Sequence, residues 1–183
     1  MNYSEIFKKA YKLMDESIIE TNCGLLCNFH CCRDKDENGE RLGIYLLPEE
    51  YEAVFKEHPE IEVESLSKEE HGDLYLPESI GNLNYMYCDG AMNCVRELRP
   101  IHCRTYPLEP HIEQGKLMLV IEKEQIHKCP ILKMQNEWRD EYINGVFKAW
   151  KLLIQIPKIR TMIKYESNER IRSNNIKKVI MNF

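Results

Sequence analysis

No apolar stretch in this chain approaches the roughly 20 residues that a membrane-crossing helix needs. The eight glycines form no phosphate- or dinucleotide-binding loop. No two cysteines are separated by two residues, the spacing that zinc ribbons and ferredoxins use. A radical-type iron–sulfur spacing, three then two intervening residues, would need a cysteine at position 30, where His30 stands. A calcium loop is begun and not finished. Asp34-Lys35-Asp36-Glu37-Asn38-Gly39 imitates its first half, but Tyr45 occupies the place of the bidentate glutamate. Asn38-Gly39 therefore reads as a tight turn.

No targeting segment is expected either. Met1-Asn2-Tyr3-Ser4-Glu5-Ile6-Phe7-Lys8-Lys9 is broken by charge, and Lys12, Asp15 and Glu16 follow, so no signal peptide is expected. The chain reads as cytoplasmic, without membrane association, and Asn2-Tyr3-Ser4 as a glycosylation triplet without consequence. Disulfides belong to oxidising compartments and to small domains short of core. At 183 residues this chain is long enough to bury a real core in one domain.

What is present in unusual density is cysteine. Cys23, Cys27, Cys31 and Cys32 fall within ten residues, and Cys88, Cys94, Cys103 and Cys129 complete the eight. Isolated buried thiols behave as small hydrophobes, but four in ten residues do not fit that role. Thiolates prefer zinc, copper(I) and iron–sulfur centres to magnesium or calcium. All eight are taken as metal ligands, with zinc or iron as the metal, an iron–sulfur cluster included. Two four-thiolate zinc sites would use all eight; one iron–sulfur cluster would use four. A helical turn would align Cys23, Cys27 and Cys31, whereas the adjacent Cys31 and Cys32 diverge and are expected to serve different metals unless one is not a ligand. Arg33, Arg96, Arg99, Arg104 and Lys128 lie beside the cysteines in sequence and are expected to support the site electrostatically. His30, His102 and His127 are also near, but eight thiols make none of them necessary.

The fold expectation is α+β: an N-terminal helix, short strands or a hairpin, and a long C-terminal helix. Tyr3, Ile6, Phe7, Ala10, Tyr11, Met14 and Ile18 recur at helical steps, with Asn2 and Glu5 placed to cap the start. Leu42–Leu47 reads as a buried strand, with a helix from Pro48 through Phe55. Residues 58–84, interrupted by Pro59, Gly72, Pro77 and Gly81, are expected as turns and short strands. Thr105–Ile112 and Lys116–Lys123 flank Gln114-Gly115 as a hairpin. Ile131, Met134, Trp138, Tyr142, Val146, Trp150 and Leu153 mark one stripe of a long helix ending before Pro157, with both tryptophans in the core.

The formal net charge is −5, unevenly spread. Residues 157–183 carry +5, leaving −10 for residues 1–156. The division is thus a cysteine-bearing domain, 1–156, and a basic extension, 157–183, packed on it or frayed, of which residues 167–183 are expected to be dispensable for the metal. Nucleic acid is not the expected partner, because few aromatics accompany the basic charge; metal ions are.

The run Cys94-Val-Arg-Glu-Leu-Arg99-Pro100-Ile-His-Cys103-Arg104-Thr-Tyr106-Pro107 follows four cysteines ending in a Cys-Cys pair and precedes a late Cys129. This pattern resembles the cysteine-cluster (YkgJ-type) family, over roughly Cys23 to Cys129. The resemblance implies a zinc- or iron-chelating domain whose eight cysteines correspond to the eight here. That family's first group spaces cysteines by two residues; this chain spaces them by three, and metal identity and number stay open. The family includes the cysteine-rich part of flagellin lysine-N-methylase. The resemblance therefore also admits a methyltransferase-like enzyme using S-adenosylmethionine and an iron–sulfur centre. A thiol redox sensor is the third reading, and whether there is catalysis at all is left open.

Overall fold

The computed structural model describes residues 2–70, 76–125 and 127–182. Gly72, one of the expected turn residues, lies outside them. Helix α1 (Tyr3–Leu13) begins where the Asn2 side chain accepts from the Glu5 amide, 3.4 Å. Its Phe7, Ala10 and the following Met14 are buried, as the helical spacing predicts. Three strands, β1 (Gly43–Tyr45), β2 (Val63–Leu66) and β3 (Leu83–Tyr87), form an antiparallel sheet in the order β1-β3-β2. The expected strand 42–47 is shorter than its apolar run, because Leu46 and Leu47 leave the sheet for the core. The helix expected from Pro48 reduces to one wide turn, Tyr51–Phe55.

A short helix α2 (Ile101–Thr105) leads through a cis Tyr106–Pro107 bond into the hairpin β4 (Glu109–Glu113) and β5 (Lys116–Glu122). Gln114 and Gly115, with φ of 50° and 79°, make its left-handed two-residue turn. Helix α3 (Asp140–Leu153) buries Tyr142, Val146, Trp150 and Leu153. It lies so close to α1 that a Cβ on Gly145 would stand 2.2 Å from the Leu13 carbonyl oxygen. The stripe through Ile131 and Trp138 is real, but the long helix expected there is not continuous. Residues Pro130–Lys133 and Gln135–Glu137 form tight 3-10 turns, and an α-helix starts only at Asp140. Extended backbone at Arg139, whose amide donates to Ile18 O at 2.9 Å, interrupts the spiral. Apolar periodicity reports the buried face and not the continuity of the helix.

Residues 157–182 are built into the fold. Pro157 opens helix α4 (Pro157–Arg172), and β6 (Ile176–Asn182) pairs with β5, giving a second antiparallel sheet β4-β5-β6. Some of the basic charges are met by the protein's own carboxylates at the surface: Lys158 pairs with Glu49, and Arg172 with Glu169. Arg170 is buried between α4 and the sheet. It meets Glu109 at 3.5 Å, Glu166 at 3.7 Å and Glu122, and donates to Pro110 O at 3.0 Å. Burial pushes the Glu109 carboxyl up to about 8 and Glu166 up to about 7, against the opposing pull of Arg170. One guanidinium does not fully offset three carboxylates in so dry a place.

Two buried polar groups fix α2 in place. Glu50 is fully buried and accepts from Tyr11 Oη at 2.7 Å, Leu47 N at 2.8 Å and Ile101 N at 2.9 Å. Thr105 receives the Trp150 indole on its hydroxyl at 3.0 Å and the Tyr142 hydroxyl on its carbonyl at 2.7 Å. The segment carrying Cys103 is thereby anchored to α1 and α3 together.

Candidate metal centre

The first cysteine group is folded by local hydrogen bonds. Asn22 caps a 3-10 turn, Cys23–Leu26, by accepting from Gly24 N at 3.0 Å. The chain then reverses through two left-handed residues, Asn28 at φ 52° and Phe29 at φ 56°, before a second turn, His30–Cys32. Phe29 N returns to Gly24 O at 2.7 Å, and Cys32 N bonds Phe29 O at 2.8 Å. Gly24 is buried under the Phe29 ring, and a Cβ there would stand 2.3 Å from it. The single helical turn suggested by the fourfold spacing is thus replaced by two turns and a reversal.

The later cysteines arrive from four different places. Cys88 follows β3 and donates its amide to Leu42 O at 2.9 Å. With Asp89 and Asn93 it walls an open cleft of about 360 Å³, completed by Asp34, Lys35 and Arg41. Cys94 precedes a 3-10 turn, Arg96–Leu98, and Cys103 lies within α2. Cys129 N-caps the turn Pro130–Lys133, which packs on the Cys23–Leu26 turn.

All eight cysteines are free thiols; Cys23, Cys31 and Cys94 are exposed and the others half-buried. They stand close enough to affect one another's charge. Burial pushes Cys88 up to about 11, and the neighbouring Cys32 and Cys94 add to it. Burial also raises Cys103, helped by Cys88, Cys32 and Cys94. Cys129 and Cys23 are raised by burial, each with Cys27 among its thiol neighbours. The Cys31 and Cys32 Sγ atoms are 3.8 Å apart. Their mutual hydrogen bond lowers Cys32 to about 6, aided by Arg99, and raises Cys31.

The basic residues named by sequence proximity have different tasks. Arg104 is almost wholly buried and holds backbone, donating to Arg99 O and Arg96 O at 2.6 Å and to Glu97 O at 3.1 Å. Arg96 pairs with Asp15 at 3.1 Å, and Arg33 donates to His30 O at 3.2 Å. Arg99 alone among these is set amid thiols, with Cys94, Cys32 and Cys103 around its guanidinium. His102 turns towards Trp150, ring centroids 6.4 Å apart, and burial lowers it to about 4. His127 lies 5.1 Å from the His30 ring and stacks at 5.4 Å on Tyr106. The Tyr106 hydroxyl lies against Cys129. Tyr106 is the neighbour that sequence proximity missed; its only signal was membership of the Arg-Pro-x-x-Cys-Arg-x-Tyr-Pro block.

Among the described residues, no three His, Cys, Asp or Glu side chains already enclose a common point as a metal shell. The surroundings nevertheless fit a thiolate-bound metal. Arg99 Nε, Tyr106 Oη and His127 Nε2 are buried, and the neighbours that Arg99 and Tyr106 have for a polar hydrogen are thiols, Cys94 for Arg99 and Cys129 for Tyr106. Polar hydrogens of this kind are the groups that orient and tune coordinated sulfur. Compared with family models, curated proteins and solved structures, the chain matches none.

Proposed function

We propose that this protein chelates zinc or iron, an iron–sulfur cluster included, through Cys23, Cys27, Cys31, Cys32, Cys88, Cys94, Cys103 and Cys129. One observation carries the reading. Eight thiols drawn from positions 23 to 129 form one connected neighbourhood, edged by buried polar groups with no other partner. A soft divalent ion would supply the positive charge that lets such thiols ionise together. Arg99 would hydrogen-bond sulfur on one side, and Tyr106 with His127 on the other. The resemblance of the Cys94–Pro107 run to the cysteine-cluster family agrees with this reading. Anaerobic purification, elemental analysis and a visible spectrum test it. Zinc in a colourless protein, or iron with acid-labile sulfide in a brown one, is the expected result. A folded, metal-free protein would refute it.

A second reading, thiol redox sensing, draws on the 3.8 Å separation of the Cys31 and Cys32 sulfurs. It requires that peroxide release the metal and that a thiol reductant restore binding.

A further inference from the structure

We infer that the eight thiols form two abutting four-sulfur sites, Cys23/Cys27/Cys31/Cys129 and Cys32/Cys88/Cys94/Cys103, divided at the Cys31–Cys32 peptide bond. The inference rests on the metal-chelating reading and adds to it the number of centres and the ligands of each.

Backbone geometry separates the two sets. The reversal at Asn28 and Phe29 folds His30–Cys32 back on Cys23–Leu26, and the turn after Cys129 packs on Cys23–Leu26. The His127–His30 ring contact and the Cys129 N to His127 O bond of 2.8 Å hold the strand bearing Cys129 there. Cys88 and the 89–93 loop instead face the Asp34 side, next to Cys94, and α2 brings Cys103 beneath them.

The polar neighbours divide in the same way. Tyr106 lies near Cys129 and Cys31, whereas Arg99 lies among Cys94, Cys32 and Cys103. Cys129 has Cys27 and Cys23 as thiol neighbours; Cys88 has Cys32 and Cys94. The contacts that cross the division, Cys31 with Cys32 and Cys23 with Cys32, all pass through Cys32. Adjacent side chains leave the backbone in different directions, so this pair can face two sites while its sulfurs stay 3.8 Å apart. A divalent ion with four thiolates carries about −2. Arg99 offsets that charge chiefly in the second set, where Cys94, Cys32 and Cys103 surround it, and it also reaches Cys23 of the first set, a set that Tyr106 faces as a neutral donor.

The test is anaerobic titration of the reduced, full-length protein with Co2+ alone, following thiolate charge-transfer absorption and native mass. Two ions per chain are expected. The exposed Cys23 and Cys94 permit substitution with little cost in packing. Cys23→Ser with Cys129→Ser should leave one ion, because both changes fall in one site. Cys23→Ser with Cys94→Ser should leave none bound by four thiolates. Far-UV circular dichroism confirms that each variant is folded. One ion in the unsubstituted chain, or loss of both ions in the same-site double variant, overturns the division while leaving chelation intact. No ion bound at all would instead overturn the chelating reading.

Discussion

The cysteine end and the α4–sheet interface meet their buried polar groups by different means. Between α4 and β4–β5, Arg170 is met by Glu109, Glu122, Glu166 and the Pro110 carbonyl, while both ring nitrogens of the buried His111 on β4 have no hydrogen-bond partner. At the cysteine end, Arg99 Nε, Tyr106 Oη and His127 Nε2 are also buried, and the groups beside Arg99 and Tyr106 are thiols: Cys94, Cys32 and Cys103 for the one, Cys129 and Cys31 for the other. The interface is closed by its own charges and regular elements. The cysteine end consists of 3-10 turns, left-handed residues and an open cleft, held by Glu50 and Arg104 from beneath. Unmet polar atoms thus occur in both regions, and what sets the cysteine end apart is the eight free thiols beside them.

The largest expected effect follows directly from this. Stripping metal from the anaerobic protein should lower the melting temperature by about 10 °C or more, since thiolate sites can supply on the order of 10 kcal/mol to folding. Hydrogen exchange should rise in residues 23–32 and 88–103, while α3 and α4 stay protected. Equal loss of protection in α3 and α4 would show that the two regions open as one unit, and the contrast would fail.

Arg170→Ala attacks the other side. It leaves three carboxylates without their shared cation, and removing one partner from a buried network costs about 3–5 kcal/mol. Urea unfolding should show that loss, with metal per folded chain unchanged. A cost below about 1 kcal/mol would mean that the network is wet and that the interface is no drier than ordinary surface.

The same network sets a pH dependence. Glu109 is raised from 4.5 to about 8, so the folded chain holds a proton there that the unfolded chain has released. Stability from this group is therefore full below about 4.5 and is lost as pH rises through about 8. The groups facing it are Arg170 and Glu166 from α4 and Glu122 from β5, with His111 further along β4. Metal binding by thiols strengthens with pH and has the opposite sign, so the comparison must be with a variant. Glu109→Gln should flatten the fall in melting temperature between pH 5 and 8. Parallel curves for the two proteins would remove Glu109 as its source.

Much of the helical core and the hairpin can be read from the chain, and much of the cysteine end cannot. The helical spacing of Phe7, Ala10 and Met14, the Gln114-Gly115 turn and the stripe ending in Trp150 and Leu153 all come from local periodicity or turn chemistry. The place of 157–183 was harder to read. Charge counting made it an extension, whereas Arg170 is buried and β6 completes a sheet, both through partners over 40 residues away. In the cysteine loop, thiol spacing suggested one helical face. The reversal depends instead on the tolerance of Asn28 for φ above zero and on Gly24 admitting the Phe29 ring. Spacing also offered five basic residues as supports for the thiols. Only the fold could show that Arg104 serves carbonyls and that Arg99 faces sulfur.

The smallest expected effect concerns the residue that most resembles a ligand and is not placed as one. Asp36 Oδ1 accepts from Asn38 N at 2.8 Å and Glu40 N at 2.9 Å, and Gly39 at φ 85° closes the turn between Lys35 and Arg41. Its carboxylate is already occupied in shaping a loop, and those amide bonds hold it below the usual carboxylate range. Asp36→Ala should cost no more than about 1 kcal/mol, the ordinary net value of exposed turn hydrogen bonds. Metal content should not change, and added calcium should not raise the melting temperature of either protein. The turn borders the cleft at Cys88 through Lys35 and Arg41. A fall in metal on Asp36→Ala would therefore extend the working boundary of the cysteine end into this loop and blunt the contrast with the self-contained interface.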